Sequence, residues 1–272
     1  NGFPLSMDEI KNFRQLNSKT AGHPEVDTSI GIDTTTGPLG QGFANGVGFA
    51  VAERYLASLL GEDVINHFTF GIVSDGDLME GISFEAAELA AVWKLGKIIY
   101  FFDDNNISID GSVDKVSITN QKEKFESIGW HVLEIDGHNE KEIIKSVEKG
   151  RKVEDKPTLI IAKSTIGKFA PNKENTSGVH GSPLGSDEMN KFLMNLDWSG
   201  DPFLHSDDIY DYFKEKREKD NEELRKWEEN FKNKYQEDSS FKDNWDLLTS
   251  KDFPTLDGVN GEKHASRILG SK

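Results

Sequence analysis

Alternating apolar and polar stretches divide much of the chain into segments typical of strands and helices. Short apolar runs cover 68–73 and 98–102, and each run ends in polar residues that favour a turn. Between them, apolar positions are interleaved with glutamates in a helical pattern: Phe84, Ala87, Leu89, Ala91 and Val92. A succession of strand, helix and strand predicts a right-handed crossover between two parallel strands.

Two later apolar segments, at 131–135 and 158–162, extend this pattern, and a helix-length segment precedes each of them. The sequence therefore predicts an α/β fold in which four strands form one parallel sheet flanked by helices on both faces. This class of fold binds its ligands at the carboxyl ends of the strands.

The flanking segments carry signals for further helices. Ser6 and Glu9 have the spacing of a capping box before a short helix. The glycine-rich segment 34–48 leads into a helix that continues to Leu60, and the small residues Gly46 and Gly48 would let another backbone pack closely against it.

The character of the chain changes after Ser186, where charged residues become dense. Apolar residues spaced by three or four predict an amphipathic helix that lies on the sheet domain: Leu224, Trp227, Phe231 and Tyr235. We divide the chain into an α/β domain at 1–190, a helical extension at 191–250, and a linker with the start of a further domain at 251–272.

The candidate chemistry lies where the first two predicted strands end. Asp75 and Asn105 each follow an apolar run, so both should lie at the same edge of the sheet. Carboxylate and amide oxygens suit Mg²⁺ or Ca²⁺, and Gly76 at the start of the following helix would let an anion approach backbone amides. This pattern indicates a divalent cation beside a diphosphate. An acidic turn that only caps a helix, with Asn105 merely turning the chain, is the alternative.

Composition narrows the classes of partner. The formal net charge is −16, which argues against nucleic acid or an anionic membrane as a partner. The sequence has no cysteine, which excludes disulfides and thiolate chemistry and is compatible with a cytoplasmic protein. We found no apolar stretch of membrane-spanning length and no secretory signal.

Five blocks of sequence resemble the transketolase family, in the order in which that family has them. These blocks are GHPE at 22–25, TTGPLGQG at 35–42, DGDLMEGIS at 75–83, DDNNISIDG at 103–111 and PNKENTSGVHGSPLG at 171–185. The pair formed by Asp75-Gly76 and Asn105 also resembles the thiamine diphosphate motif. The resemblance implies thiamine diphosphate and Mg²⁺ (or Ca²⁺) as cofactors, sugar phosphates as substrates, and a homodimer that transfers two-carbon ketol units.

The resemblance also implies a role for individual residues. Metal ligands would be Asp75, Asn105 and the main-chain oxygen of Ile107, while the other cofactor contacts would come from Gly37, Pro38, Leu39, Gly76, Asn105 and His180. Residues near the substrate would be Arg14, His23, His180 and Arg267. The catalytic residues would be His23, Glu80 and His180, with Glu80 at the subunit interface.

This sequence departs from the family pattern in two ways. Ser74 stands where the family usually has a glycine, and serine fits only if that position keeps an ordinary backbone conformation. The glutamate that activates the cofactor belongs to a second domain of the other subunit in this family. We therefore expect the chain to be an internal piece of a longer protein, with an uncovered sheet edge and no activity by itself.

Three alternatives remain open on the sequence alone. The chain could be a genuine half-subunit, or it could belong to another thiamine enzyme such as a dihydroxyacetone synthase or a dehydrogenase E1 component. The GHPE and HGSPLG blocks argue against the E1 component. A non-catalytic binding or scaffold protein is the third alternative, and it would bind no thiamine diphosphate even in the presence of magnesium.

Overall fold

The structure, a computed structural model, describes residues 3–250. Four parallel strands form the main sheet in the order β1-β2-β6-β5, with bounds Thr69–Val73 (β1), Ile98–Asp104 (β2), His131–Asp136 (β5) and Thr158–Lys163 (β6). A small antiparallel hairpin pairs Ile107–Ser108 (β3) with Gly111–Ser112 (β4). All four predicted strands are confirmed in position and direction.

The α-helices in the described part of the chain are Met7–Lys11 (α1), Gln41–Leu60 (α2), Asp75–Met79 (α3), Gly81–Val92 (α4), Gln121–Ser127 (α5), Glu140–Gly150 (α6), Ser186–Asn195 (α7), Asp207–Glu237 (α8) and Ser239–Thr249 (α9). Gly46 of α2 packs against Tyr100, whereas Gly150 of α6 packs against Ile99. Because successive side chains of a strand point to opposite faces, α2 and α6 cover opposite faces of the sheet, as predicted.

Tyr100 holds α2 against the sheet. Its buried ring lies between Gly46 of α2 and Gly71 of β1, and a Cβ at either glycine would overlap the ring or its hydroxyl. The Tyr100 hydroxyl donates a hydrogen bond of 2.7 Å to the Phe43 carbonyl of α2. Burial raises the pKa of the Tyr100 phenol, so the hydroxyl stays protonated and remains a donor.

Aromatic side chains extend this contact into the core of the domain. The rings of Phe43 and Tyr100 have centroids 4.6 Å apart, and Trp130 lies 6.2 Å from Tyr100 in a stacked arrangement. The Trp130 indole donates a hydrogen bond of 2.9 Å to the Ala87 carbonyl of α4. The same aromatic cluster thus joins α2, β2 and α4.

The predicted crossover helix is in fact two helices. The chain is extended at Glu80, with φ −72° and ψ 138°, and this residue separates α3 from α4. The inner face of α4 consists of small residues, Ser83, Ala86, Ala87 and Ala90. The larger apolar residues point outward, and Val92 is 73 % exposed. Interleaved apolar residues therefore predicted a helix correctly, and the residues that α4 buries are its small ones.

Two smaller predictions also need correction. Gly46 is buried as predicted, but Gly48 is exposed and its added Cβ would meet no atom within 4 Å. At α1, Ser6 accepts a hydrogen bond from the Glu9 amide, as in a capping box. The Glu9 carboxylate, however, accepts from the Lys19 amide at 3.0 Å, so it anchors the following loop.

The C-terminal helices are anchored on the segment that follows α2. The Trp227 indole of α8 donates to the Val64 carbonyl at 2.9 Å, and Phe231 packs on Trp245 of α9 with ring centroids 4.6 Å apart. Leu60 and Phe241 are buried in this small cluster. The helical extension is therefore present, whereas the predicted domain boundaries stay predictions and 251–272 lies outside the described residues.

Strand β1 lies at one edge of the sheet described here. One of its faces is covered by Tyr100 and α2, but Phe70 and Ile72 on the other face are exposed, Ile72 to 81 %. None of the helices in residues 3–250 is long and apolar enough to span a bilayer.

Gly46 and Gly48, two of the three glycines of α2, provide a matched test of this packing. We expect Gly46→Ala to lower the free energy of unfolding by about 1–3 kcal/mol, because the new methyl group overlaps Tyr100. Gly48→Ala in the same helix should raise it by about 0.5–1 kcal/mol, since alanine favours a helix and the site is open. Urea unfolding measures both, and equal effects would contradict this account of α2.

Candidate functional site

The turn after β1 begins with Ser74, which caps α3. Its side chain accepts a hydrogen bond from the Asp77 amide, and the Asp77 carboxylate accepts from the Ser74 amide at 2.9 Å, which completes a capping box. Ser74 has φ −110° and ψ 174°, an ordinary extended conformation. The prediction that serine fits here is confirmed.

Asp75 is the most perturbed carboxyl group of this edge. It is only 9 % exposed, and burial raises its pKa to about 6, with further contributions from the negative charges of Asp104 and Asp103. Lys163 offsets these contributions in part. A buried carboxylate among like charges is stabilised by a bound cation. The surroundings of Asp75 therefore fit a metal ligand.

Asn105 lies at the end of β2, the neighbouring strand. Its Nδ2 donates to Asp103 Oδ2 at 3.0 Å, and its Oδ1 accepts from the Ile107 amide at 2.9 Å. This carboxamide oxygen retains a second lone pair for a cation. The register aligns Val73 with Phe102, so Asp75 and Asn105 leave the sheet at the same edge.

Two contacts hold the acidic strand end of β2 in place. Lys163 pairs with Asp104, and the Ser164 hydroxyl donates to Asp103. Residues 3–250 contain no group of three His, Cys, Asp or Glu side chains placed to hold a metal ion. The predicted ligand set is of a different kind, because Asp75 would be its only carboxylate, joined by the Asn105 amide oxygen and the Ile107 main-chain oxygen.

The glycine-rich loop 37–40 packs directly on the turn after β1. A Cβ at Gly76 would lie 3.0 Å from Leu39 Cδ1, so glycine permits this close approach. Gly40 has φ +79°, and its amide donates to Asp77 Oδ1 at 3.0 Å. The structure thus brings Leu39 against Gly76, two residues predicted to contact the cofactor.

The GHPE loop and Arg14 extend this arrangement. His23 packs against Gly37, where an added Cβ would lie 2.8 Å from the histidine side chain. Arg14 packs against Gly22 in the same way, with its Nε 2.8 Å from the added Cβ. Glu80 lies beside Gly40, and its side chain is exposed. A chain of contacts therefore links Arg14 and His23 to loop 37–40, which also packs on Glu80 and on the turn after β1.

The structure does not connect His180 to this group. His180 follows a short 3-10 turn at Ser177–Val179 and is exposed. None of the hydrogen bonds or ring contacts within residues 3–250 joins it to Asp75, Asn105 or the loop 37–40. Arg267 lies outside the described residues. The roles predicted for these two residues stay predictions.

Two anchoring carboxylates had no role predicted from the sequence. Asp77 links α3 to Gly40, and the spacing of Ser74 and Asp77 signals only its capping of α3. Glu188 of α7 is 7 % exposed and accepts from the Asn172 amide at 2.7 Å and the Lys173 amide at 3.1 Å. Glu188 therefore anchors the start of the loop that carries His180.

A parallel α/β sheet with polar residues gathered at the carboxyl ends of its strands defines a class of cofactor-binding domains. The chain belongs to a family of this class: the family described as transketolase, thiamine diphosphate binding domain, whose sequence profile matches residues 1–254.

Individual relatives agree with this assignment. Transketolase 1 of Escherichia coli is 49 % identical over 213 residues, which is 77 % of this chain and 32 % of the relative. A transketolase of a Nostoc strain is 42 % identical over 282 residues, covering 97 % of this chain and 42 % of the relative. The chain therefore spans well under half the length of these relatives.

Solved structures match the fold closely. The transketolase of Campylobacter jejuni superposes with a TM-score of 0.84 at 41 % identity, covering 91 % of this chain and 38 % of that one. The transketolase of Leishmania mexicana gives a TM-score of 0.85 at 33 % identity, with the same coverage.

The raised pKa of Asp75 predicts a pH effect on stability. In the unfolded chain its pKa is near 3.8, and in the folded protein about 6. Between these values the folded state binds more protons, so Asp75 makes the free energy of unfolding of metal-free protein fall as pH rises from about 4 to 6.

Asp75→Asn removes this titration. We expect the variant to match the parent protein at pH 4 and to exceed its stability at pH 7 in urea unfolding with a chelator present. Saturating Mg²⁺ should narrow the gap at pH 7 by stabilising the parent. Equal stabilities of the metal-free parent and variant at both pH values would contradict the raised pKa of Asp75.

Proposed function

We propose that this chain is the diphosphate-side cofactor domain of an enzyme that transfers two-carbon ketol units between phosphorylated ketoses and aldoses. The observation that carries the proposal is the contact of loop 37–40 with the turn after β1, because it joins two predicted parts of one thiamine diphosphate site. The names of the relatives support the same activity.

The cofactor would be held by residues at this edge. The metal ligands for Mg²⁺ or Ca²⁺ would be Asp75, Asn105 Oδ1 and the Ile107 main-chain oxygen, and the bound cation would offset the negative charge of the diphosphate. The Gly76 amide would donate to the diphosphate, while Gly37, Pro38 and Leu39 would contact the aminopyrimidine ring. Bound thiamine diphosphate supplies the carbon nucleophile, and the protein supplies position and electrostatics.

The substrate would meet the surface formed by Arg14 and His23. His23 packs against Gly37 of loop 37–40, and Arg14 packs against Gly22, the residue before His23. A guanidinium pairs well with phosphate oxygens, and a histidine can hydrogen-bond sugar hydroxyls. His180 and Arg267 would complete the substrate contacts. Solved transketolases of Pichia stipitis carry xylulose 5-phosphate, fructose 6-phosphate and sedoheptulose 7-phosphate.

The active protein would be a cytoplasmic homodimer. Glu80 is exposed beside α4, whose outer face presents large apolar side chains such as Leu89 and Val92. An apolar face next to a predicted interface residue supports assembly at this surface.

Substitution of the predicted metal ligands tests the cofactor site. In the complete protein, Asp75→Ala should abolish Mg²⁺-dependent binding of thiamine diphosphate, because it removes the only charged ligand. Asn105→Ala should weaken binding and leave the fold intact. Titration calorimetry measures the affinities, and Asp243→Ala, an exposed aspartate on α9, is the matched control. Parent-like binding by both site variants would place the metal elsewhere.

A ketol-transfer assay tests the activity itself. The complete protein should transfer the two-carbon unit from xylulose 5-phosphate to ribose 5-phosphate in the presence of thiamine diphosphate and Mg²⁺. The 272-residue chain alone should show no turnover, because the activating glutamate of this family belongs to a second domain. Turnover by the chain alone would contradict the proposed division of the active site.

A further inference from the structure

Asp77 is hydrogen-bonded to both of the segments that form the predicted cofactor site. Its Oδ2 accepts from the Ser74 amide at 2.9 Å and from the Ser74 hydroxyl at 2.8 Å. Its Oδ1 accepts from the Gly40 amide at 3.0 Å, across 37 positions of sequence. One carboxylate therefore joins the turn after β1 to the end of the glycine-rich loop.

The bond to Gly40 goes beyond helix capping. A capping box at α3 requires only the exchange between Ser74 and Asp77. The second oxygen is directed at Gly40, a buried residue whose φ of +79° orients its amide toward Asp77. Ser83, itself 1 % exposed, donates to the Asp77 carbonyl at 2.6 Å and fixes the backbone at this point.

Each joined segment lies next to a different part of the proposed ligand site. Ser74 directly precedes Asp75 and Gly76, and Gly40 directly follows Gly37–Leu39. We propose that Asp77 is a positioning residue, which sets the distance between the diphosphate-side and pyrimidine-side segments before the ligand binds. This inference rests on the proposed function, because it assumes that both segments contact one thiamine diphosphate.

The two oxygens of the Asp77 side chain accept all three of these hydrogen bonds. The carboxamide of asparagine has one accepting oxygen, so Asp77→Asn must lose the Ser74 side or the Gly40 side. Alanine loses both. Three donors on Asp77 also compensate its negative charge, which keeps that charge compatible with a diphosphate nearby.

A link between segments affects ligands according to their size. Thiamine diphosphate would contact both segments and would benefit from their fixed separation. Inorganic diphosphate with Mg²⁺ would contact the turn after β1 alone, so it would gain nothing from the position of Gly40. The ratio of the affinities for thiamine diphosphate and inorganic diphosphate therefore reports positioning. A loss of stability alone does not change this ratio.

The experiment compares both ligands by titration calorimetry in the complete protein with saturating Mg²⁺. We expect Asp77→Ala to weaken thiamine diphosphate binding roughly tenfold, because of its three lost hydrogen bonds only the charged bond to Gly40 joins the two segments. The affinity of Asp77→Ala for inorganic diphosphate should stay within about twofold of the affinity of the parent protein. Asp77→Asn should give an intermediate loss, and it carries the comparison if the alanine variant does not fold.

Two control variants separate positioning from capping. Ser74→Ala removes the hydroxyl that caps α3 and leaves the bond between Asp77 and Gly40, so the affinity ratio should stay near that of the parent. Asp238→Ala removes the cap of α9, where the carboxylate accepts from the Phe241 amide at 3.0 Å. It should lower the melting temperature without changing either affinity.

The outcomes distinguish this inference from the proposed function. A parent protein that binds no thiamine diphosphate overturns both. A parent protein that binds it, with unchanged binding by both Asp77 variants, overturns the positioning role alone. An equal loss of affinity for both ligands in Asp77→Ala also overturns it, since the residue would then act only on the turn after β1.

Discussion

The insertion of the Tyr100 ring between Gly46 and Gly71 is the contact on which the site geometry depends. It brings the axis of α2 close to β1 and β2, and the hydroxyl bond to the Phe43 carbonyl fixes the helix along its length. Loop 37–40 leads into α2 at Gly40. The position of this loop therefore depends on how closely the Tyr100 ring lets α2 approach the sheet. A buried tyrosine in the core thereby determines where a surface loop meets the carboxyl end of β1.

Electrostatics impose a second constraint at the same edge. The carboxyl ends of β1 and β2 gather Asp75, Asp103 and Asp104 within a protein of net charge −16. Lys163 and Ser164 satisfy the two aspartates of β2, while Asp75 remains buried with a raised pKa. A strand end of this kind would repel a free diphosphate and would favour one that arrives with a divalent cation. The proposed need for a metal follows from this distribution of charge.

Much of the fold was predictable because apolar runs such as 98–102 have few alternatives to a buried strand. The break at Glu80 was not, since periodicity does not report the backbone angles of a single residue. Periodicity also does not show that α4 packs through Ala86, Ala87 and Ala90, which allow a closer approach than large side chains would. Strand topology predicted that Asp75 and Asn105 lie at the same edge of the sheet, and the register agrees. The bond from Gly40 to Asp77 depends on tertiary structure, and no local pattern reveals it.

The exposed face of β1 links the folding of an edge strand to the occupancy of the site. Phe70 and Ile72 contribute little burial on that face, so β1 is held mainly by its ladder with β2 and by α2. In the 272-residue chain studied by itself, an edge strand of this kind opens locally at low free-energy cost, and amide hydrogen exchange records such openings. Each opening of β1 would displace Asp75, two residues beyond Val73. A cation bound at Asp75 would therefore slow exchange along the whole strand, which makes local unfolding and ligand release a single coupled equilibrium.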